Sequence, residues 1–470
     1  MIYFFKDFFI YGFASILGKL AAIFLIPIYT NVLSKEEYGA MALIVACKGI
    51  IDLFSNLNIH SGISRDYYEN GIDRKKLVST GLFSILSIST TILLIVIVST
   101  SYITERILEI PNFKDSFLLM ALSIPAGSLM SYFSILTRYK KKPVIFTLGI
   151  LIQLAIQISI SIVGVVYMKY GVVSIFAGIL WGEIFATIFF AIINIEYIGF
   201  VFEKKYLKRA LIFALPTLPA ILAGWVDSSM GQIIVGKYIS VSELAVYSLA
   251  LQMASIFTII STAFQNVWFP YLFENYQSPL FLKEASNLFA MISMILLFVT
   301  ILFSLFSKEI VMFLSNDGYL EAALYFPLLC IPMSFYMLFP IVNSGIQVSR
   351  ETKYVGISYV VGSTINVLVI IALIRHLGVF AIPIALSVSR LFTFEYMRRK
   401  SNRRLNIVCP ITILISIIFV AIIAFVINLF EVKLYIRILI GCSCVFFMYY
   451  CYAGNYGIKK LSILFKKKNM

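Results

Sequence analysis

The stretch YGFASILGKLAAIFLIPIYTNVLSKEEY, residues 11–38, decides the class of this protein. From Phe8 to Leu33 the chain carries one charged side chain, Lys19, and the run is long enough to cross a hydrocarbon core about 30 Å thick as a helix. The sequence therefore predicts a first membrane span, retained and not cleaved as a signal peptide. An ammonium group near mid-span costs at least about 2.5 kcal/mol, so Lys19 should face a partner or a watered cavity.

The composition extends this prediction to the whole chain. Of the 470 residues, 61% are hydrophobic and 13% are charged, which is typical of a polytopic all-α membrane protein and not of a soluble domain. The net charge of +15 comes mostly from Lys and Arg in short loops between apolar runs, which favours a role in topology over nucleic-acid binding. The six cysteines form no CxxC pair and only two histidines are present, so no metal site, cofactor or disulfide is predicted.

Apolar runs bounded by charged turns predict about fourteen transmembrane helices. They are 8–33, 38–62, 77–103, 115–137, 143–168, 171–195, 209–236, 241–270, 284–306, 320–347, 354–374, 378–396, 407–430 and 434–454. With this number, both termini and the even-numbered loops share one side and hold about 26 of the 38 Lys and Arg residues. Because cytoplasmic loops carry the excess of positive charge, both termini are predicted to be cytoplasmic.

The sequence repeats itself after about 206 residues. Ser34-Lys35-Glu36-Glu37 aligns with Ser240-Val241-Ser242-Glu243, and Ile124-Pro125 aligns with Ile331-Pro332. A register held over six spans predicts two parallel six-helix repeats about an axis along the membrane normal, which form lobes around a central cavity. The predicted organisation is an N-terminal lobe at 1–200, a C-terminal lobe at 201–400, and two additional helices with a basic cytoplasmic tail at 401–470.

Polar residues at helical spacing predict which faces line a cavity between the lobes. The longer set, here called the Ser248 stripe, and the shorter set, called the Gln153 stripe, lie in the eighth and fifth spans. They consist of Ser248, Gln252, Ser255, Thr262 and Asn266, and of Gln153 and Gln157 with Ser161 and Gly164. Polar stripes also hold membrane helices together, an alternative that is stronger for the shorter Gln153 stripe.

Six charges lie deep in the predicted spans: Lys19, Lys48, Asp52, Glu183, Asp227 and Arg390. Lys48 and Asp52 are four residues apart, so they either neutralise each other or line the cavity. Asp227 lies one or two positions past the repeat image of Lys19, which predicts that the two face one cavity, as a salt bridge or in anion binding or ion coupling. Glu183 and Arg390 occupy equivalent repeat positions and are predicted to be interlobe or coupling charges, or members of stabilising pairs elsewhere.

Several short motifs occur in an order that is more specific than any one of them. They are Pro27-Ile28-Tyr29-Thr30 with Leu33 to Gly39, Gly62 to Arg65, Ser242 to Ala250, Trp268-Phe269-Pro270-Tyr271, and Asn366 with Leu377-Gly378-Val379. Over nearly its whole length the chain resembles the bacterial O-antigen and polysaccharide flippases, or polysaccharide biosynthesis proteins, of the multidrug/oligosaccharidyl-lipid/polysaccharide exporter superfamily. Leu244-Ala245 departs from the family, which usually has a glycine before the tyrosine.

The resemblance implies that an undecaprenyl-diphosphate-linked repeat unit moves from the inner to the outer leaflet of a bacterial inner membrane by alternating access. It also implies membrane lipids, a polysaccharide polymerase and a chain-length regulator as partners. Lys19, Lys48 and Arg65 would offset the cost of bringing the anionic diphosphate through a medium of low dielectric constant.

Two other functions compete with this one. A cation-coupled drug antiporter of the same superfamily should have a net acidic cavity, whereas three of the six deep charges here are basic. A membrane polymerase or glycosyltransferase should have a large outward loop, but the longest outward loops hold about a dozen residues. Because no paired carboxylates in a large loop, Walker sequence or nucleophile with a base are present, the chain is not predicted to be an enzyme.

Overall fold

A computed structural model describes residues 2–69, 71–140, 142–409, 411–430, 432–433, 435–441 and 443. Within these ranges the structure is helical and contains no strand. The α-helices are α1 (Ile2–Val32), α2 (Lys35–Asn56), α3 (Ile59–Asp66), α4 (Arg74–Tyr102), α5 (Lys114–Tyr139), α6 (Pro143–Ile162), α7 (Val172–Ile193), α8 (Lys204–Ala214), α9 (Leu218–Trp225), α10 (Gly231–Tyr238), α11 (Val241–Asn275), α12 (Phe281–Leu305), α13 (Ser307–Leu314), α14 (Ala322–Val342), α15 (Ser344–Val348), α16 (Lys353–Leu377), α17 (Ala381–Ser401) and α18 (Ile411–Leu429).

In the part of the chain that the structure describes, ten helical runs are long and apolar enough to span a membrane. One of them, Lys353–Ser401, contains both α16 and α17, and shorter apolar helices lie at Leu17–Val32 and Leu414–Leu429. The prediction of an all-α polytopic membrane protein is confirmed. Most of the fourteenth predicted span and the whole basic tail lie outside the described residues, so the count of fourteen stays a prediction.

The repeated serine turn starts the second predicted span of each predicted lobe. Ser34 and Glu37 form a capping box, in which the Ser34 hydroxyl accepts from the Glu37 N–H at 3.2 Å and the Glu37 carboxylate accepts from the Ser34 N–H at 2.8 Å. Ser240 caps α11 by accepting from the Glu243 N–H at 3.0 Å. Because these bonds satisfy donors that the first helical turn leaves free, the two turns fix where α2 and α11 begin.

The seventh predicted span is divided into α8, α9 and α10. A 3₁₀ turn at Leu215–Thr217 separates α8 from α9, and a π-helical turn at Val226–Met230 separates α9 from α10. Pro216 and Pro219 lie at the first break, where proline removes a backbone donor. Asp227 lies in the π-helical turn, a local geometry that is frequent at functional sites.

Helices of the two predicted lobes meet along two seams. In the long seam, α2 and α3 pack along the helices of the seventh span. Its contacts are Gly62 facing Ala210, Asn58 donating to Thr217 at 2.8 Å, and the Trp225 indole donating to the Ala46 carbonyl at 3.0 Å. In the Lys19 seam, α1 packs along α11. The end of the bundle with the Ser34 and Ser240 turns is the predicted outward end, and the end with α3 and α8 is the predicted cytoplasmic end.

Candidate functional site

Lys19 lies in the Lys19 seam, about halfway along the first span. Its half-buried ammonium donates a hydrogen bond of 3.0 Å to the Thr258 hydroxyl on α11, and that hydroxyl donates to the Ser255 carbonyl at 2.7 Å. Among the described residues Lys19 forms no ion pair. A hydroxyl group cannot neutralise an ammonium, so the seam keeps a positive charge at this depth.

Lys48 forms a cluster with two carboxylates. Its ammonium lies 3.0 Å from Asp52 and 3.3 Å from Glu183, so the pairing of Lys48 with Asp52 that the spacing allowed is present. The Lys48 and Glu183 side chains are 12% and 10% exposed, whereas that of Asp52 is 38% exposed. The cluster therefore neutralises its lysine and presents a carboxylate at its edge.

Asp227 pairs with Arg390. The two charged groups are 3.3 Å apart, and the Asn366 amide donates to Asp227 at 3.4 Å. The Arg390 guanidinium also lies over the rings of Tyr336 and Phe339, at 5.0 and 5.7 Å from their centroids. Both residues belong to the predicted C-terminal lobe, 201–400, and their pair is buried and carries no net charge.

The structure corrects the predicted partners of these charges. Lys19 contacts Thr258 and not Asp227, whose partners are Arg390 and Asn366. Each residue turns a helix by about 100°, so the one or two positions by which Asp227 misses the repeat image of Lys19 place it on another face. Glu183 and Arg390 each pair with a charge of their own predicted lobe, which favours a stabilising role over an interlobe contact.

The Gln153 stripe lies against α7. Gly178 and Gly182 have no side chain and let the backbone of Gln157 and Gln153 approach closely, with Ser161 beside Gly178. This contact favours the alternative that the stripe holds two helices together.

The Ser248 stripe divides along α11. Ser248 lies in the wholly buried run 244–250 and does not line a cavity, whereas Gln252, Ser255 and Thr262 are half-buried. The side chain of Asn266 lies outside the described residues. Thr258, which binds Lys19, was missed although it lies three residues after Ser255 and four before Thr262, the spacing of the stripe itself.

The predicted cytoplasmic end is held by contacts between α3 and α8. Arg65 lies at this end and is exposed, with its guanidinium 5.3 Å from the Phe213 ring centroid. Arg209, which was not predicted, lies 3.1 Å from Asp66 and also binds Glu69. A Cβ at Gly62 would overlap the Ala210 backbone, so the two helices touch.

The predicted outward end is also closed. A Cβ at Gly39 would overlap the Val241 carbonyl, and Asn316 donates to the Thr30 carbonyl at 2.6 Å. Tyr38 and Tyr319 form an edge-to-face pair with ring centroids 5.9 Å apart. Burial, with a smaller effect of Glu37, raises the pKa of Tyr319 to about 12, so its hydroxyl stays neutral at physiological pH and a pH change does not charge this contact.

Comparison with known proteins adds the family and the fold. A family model described as polysaccharide biosynthesis protein matches residues 28–324. The lipid II flippase MurJ, solved in an inward-closed conformation, matches with a TM-score of 0.76 and 16% identity over 95% of this chain and 99% of that one. An inward-facing multidrug resistance MATE family transporter of the MOP superfamily matches with a TM-score of 0.65 and 13% identity over 82% of this chain and 94% of that one. No curated protein sequence matches the chain significantly.

Proposed function

The chain belongs to the polysaccharide biosynthesis protein family, and we propose that it is a flippase for an undecaprenyl-diphosphate-linked polysaccharide repeat unit. The proposed movement is from the inner to the outer leaflet of a bacterial inner membrane, with both termini in the cytoplasm. The fold supports this, because the matched structures are a flippase and a transporter and not enzymes. A polysaccharide polymerase and a chain-length regulator are the proposed partners that act on the product.

The observation that carries the proposal is the positive charge of Lys19. Lys48 and Arg390 have carboxylate partners, whereas Lys19 has a hydroxyl partner in the seam between the predicted lobes. A half-buried ammonium that has no counter-ion among the described residues is costly in a membrane, and a bound diphosphate would remove that cost. Gln252, Ser255 and Thr262, on the same helix as Thr258, supply polar groups for the hydroxyls of a sugar.

The two seams give the movement a physical basis. The long seam holds the predicted lobes together from Gly62 at the predicted cytoplasmic end, and at the predicted outward end Gly39 on α2 contacts Val241 of α11. In the proposed cycle the contacts at one end separate while those at the other stay closed, so the substrate reaches Lys19 from one leaflet at a time. The undecaprenyl chain stays in the bilayer, because its burial in lipid costs no free energy.

Lys19→Ala tests this directly. We expect it to lower the rate of lipid-linked sugar transfer in proteoliposomes at least about tenfold, because an interaction with a charged phosphate is lost in a site of low dielectric constant. Lys19→Arg should retain part of the rate, and Lys114→Ala, which changes an exposed lysine at the first residue of α5, should retain all of it. Surface polysaccharide in cells that depend on each variant gives the second readout.

The exposed carboxylate of Asp52 favours a second function, a cation-coupled antiporter. Such a protein would move a cationic dye in the same proteoliposomes when a proton or sodium gradient is applied. Dye movement that requires Asp52 and is indifferent to Lys19 would identify the antiporter and contradict the flippase.

A further inference from the structure

The helix that joins the two predicted lobes, α8, carries a groove on its outer side. The groove has a volume of about 520 Å³ and is lined by Lys204, Leu207, Lys208, Leu211, Ile212, Leu215 and Pro216. The leucines are spaced by four residues and form one row, and the lysines form a second row beside them. Ile212 is 65% exposed, so the floor of the groove is open to its surroundings.

The two lysines of the groove are available to a ligand. Within the described residues neither Lys204 nor Lys208 forms an ion pair, and both are exposed. Nearby charges are already paired, since Glu203 binds Lys76 at 3.4 Å and Arg209 binds Asp66 and Glu69. The groove therefore presents two uncompensated positive charges above an apolar floor.

The order of basic and apolar residues along α8 matches the order of head group and chain in a lipid. The lysines lie in the first turns of α8, at the predicted cytoplasmic end, and the apolar residues continue from Leu211 to Pro216 toward the membrane interior. A lipid of the inner leaflet has its phosphate at the interface and its chain in the hydrocarbon. Basic residues on an amphipathic helix at the interface bind such head groups.

We propose that this groove binds the undecaprenyl diphosphate part of the substrate in the inner leaflet, before it enters the seam. This inference rests on the proposed function. Two lysines one helical turn apart match two adjacent phosphates, whereas the bulk phospholipid phosphatidylglycerol offers a single phosphate charge. The opposite side of α8 packs on α3 through Ala210 and Gly62, so the bound lipid lies beside the long seam.

Photocrosslinking of the full chain in phosphatidylcholine nanodiscs tests the groove. A photoreactive benzoylphenylalanine replaces Ile212, and the probe is radiolabelled undecaprenyl diphosphate without sugar. We expect a crosslink that unlabelled undecaprenyl diphosphate competes away, and that Lys204→Gln with Lys208→Gln weakens about tenfold. The matched control is Lys205→Gln, on the same helix but outside the groove lining.

The outcomes separate the groove from the transport function. Competition by phosphatidylglycerol equal to that by undecaprenyl diphosphate overturns the proposal, and so does a crosslink that the double variant leaves unchanged. A lysine-dependent crosslink in a protein that moves no lipid-linked sugar retains the groove and overturns the flippase. Normal transport by the double variant at low substrate concentration overturns the groove and retains the flippase.

Discussion

At the scale of single residues, the deep charges have three different kinds of partner. Asp227 and Arg390 pair one to one, Lys48 shares two carboxylates, and Lys19 has a hydroxyl partner. The sequence identified all these residues, because charges are rare in apolar runs. It identified Lys48 with Asp52 as one alternative, from their spacing, but not the pairs between distant residues. A repeat alignment gives the depth of a residue in the membrane but not the direction in which its side chain points. A shift of one position changes that direction by about 100°.

Loss of the Asp227 carboxylate should destabilise the protein more than loss of the Glu183 carboxylate. Asp227→Asn leaves the Arg390 guanidinium buried without a counter-charge, a change worth about 3–5 kcal/mol. Glu183→Gln leaves Lys48 with Asp52 at 3.0 Å, so its unfolding midpoint in detergent should fall by less. Thermal unfolding of the purified variants, followed by tryptophan fluorescence, gives the comparison.

The double variant Asp227→Asn with Arg390→Gln is the control for this ordering. It removes both charges, so its midpoint should lie closer to that of the wild type than the midpoint of Asp227→Asn does. A double variant less stable than Asp227→Asn would show that the guanidinium stabilises the fold through Tyr336 and Phe339 and not through the carboxylate.

At the scale of helices, the predicted spans differ from the observed helices where local hydrogen bonds decide the ends. The second span was predicted from residue 38, and α2 begins at Lys35, because the capping box of Ser34 and Glu37 satisfies the donors of its first turn. The seventh span was predicted as one run, 209–236, because apolar composition does not register the breaks at Pro216 and Val226. The contact of Gln153 with α7 was also not predicted, since the spacing of a polar stripe is the same whether the stripe faces water or a glycine of a neighbouring helix.

Ser34→Ala should destabilise the first turn of α2 by about 1 kcal/mol, because the Glu37 N–H loses its acceptor. Ser34→Asp should cost little, since aspartate is an equally good cap. Amide hydrogen exchange in the first turn of α2, measured on the full chain in detergent, should become faster in the alanine variant. The first turn of α11, capped separately by Ser240, provides the internal control.

If exchange in the first turn of α2 is unchanged in Ser34→Ala, then packing alone holds the start of α2. The close contact of Gly39 with Val241 would be the cause of such an outcome. An equal change in both turns would indicate a global loss of stability instead.

At the scale of the whole molecule, both ends of the bundle are closed by helix contacts at a glycine, where a side chain would not fit. Gly39 faces the Val241 carbonyl at the predicted outward end, and Gly62 faces the Ala210 backbone at the predicted cytoplasmic end. A side chain at either position must push two helices apart, because neither contact is with a flexible group. The two glycines are therefore expected to control opposite ends of one transport path.

Gly39→Val and Gly62→Val should shift accessibility in opposite directions. We expect Gly39→Val to raise the labelling of a Ser255→Cys reporter by a membrane-impermeant maleimide from outside, and Gly62→Val to raise it from the cytoplasmic side. The reporter is made in a chain whose native cysteines have been replaced, and labelling of right-side-out and inside-out vesicles measures the two directions.

Ser255 is half-buried next to Thr258, at the depth of Lys19, so its thiol reports on the path and not on the surface. Because both contacts join the same two predicted lobes, separation at one end should tighten the other, and each variant should lower labelling from its opposite side. An increase from both sides in either variant would mean that the lobes separate completely, which contradicts alternating access. An increase from the same side in both variants would reverse the predicted orientation of one end.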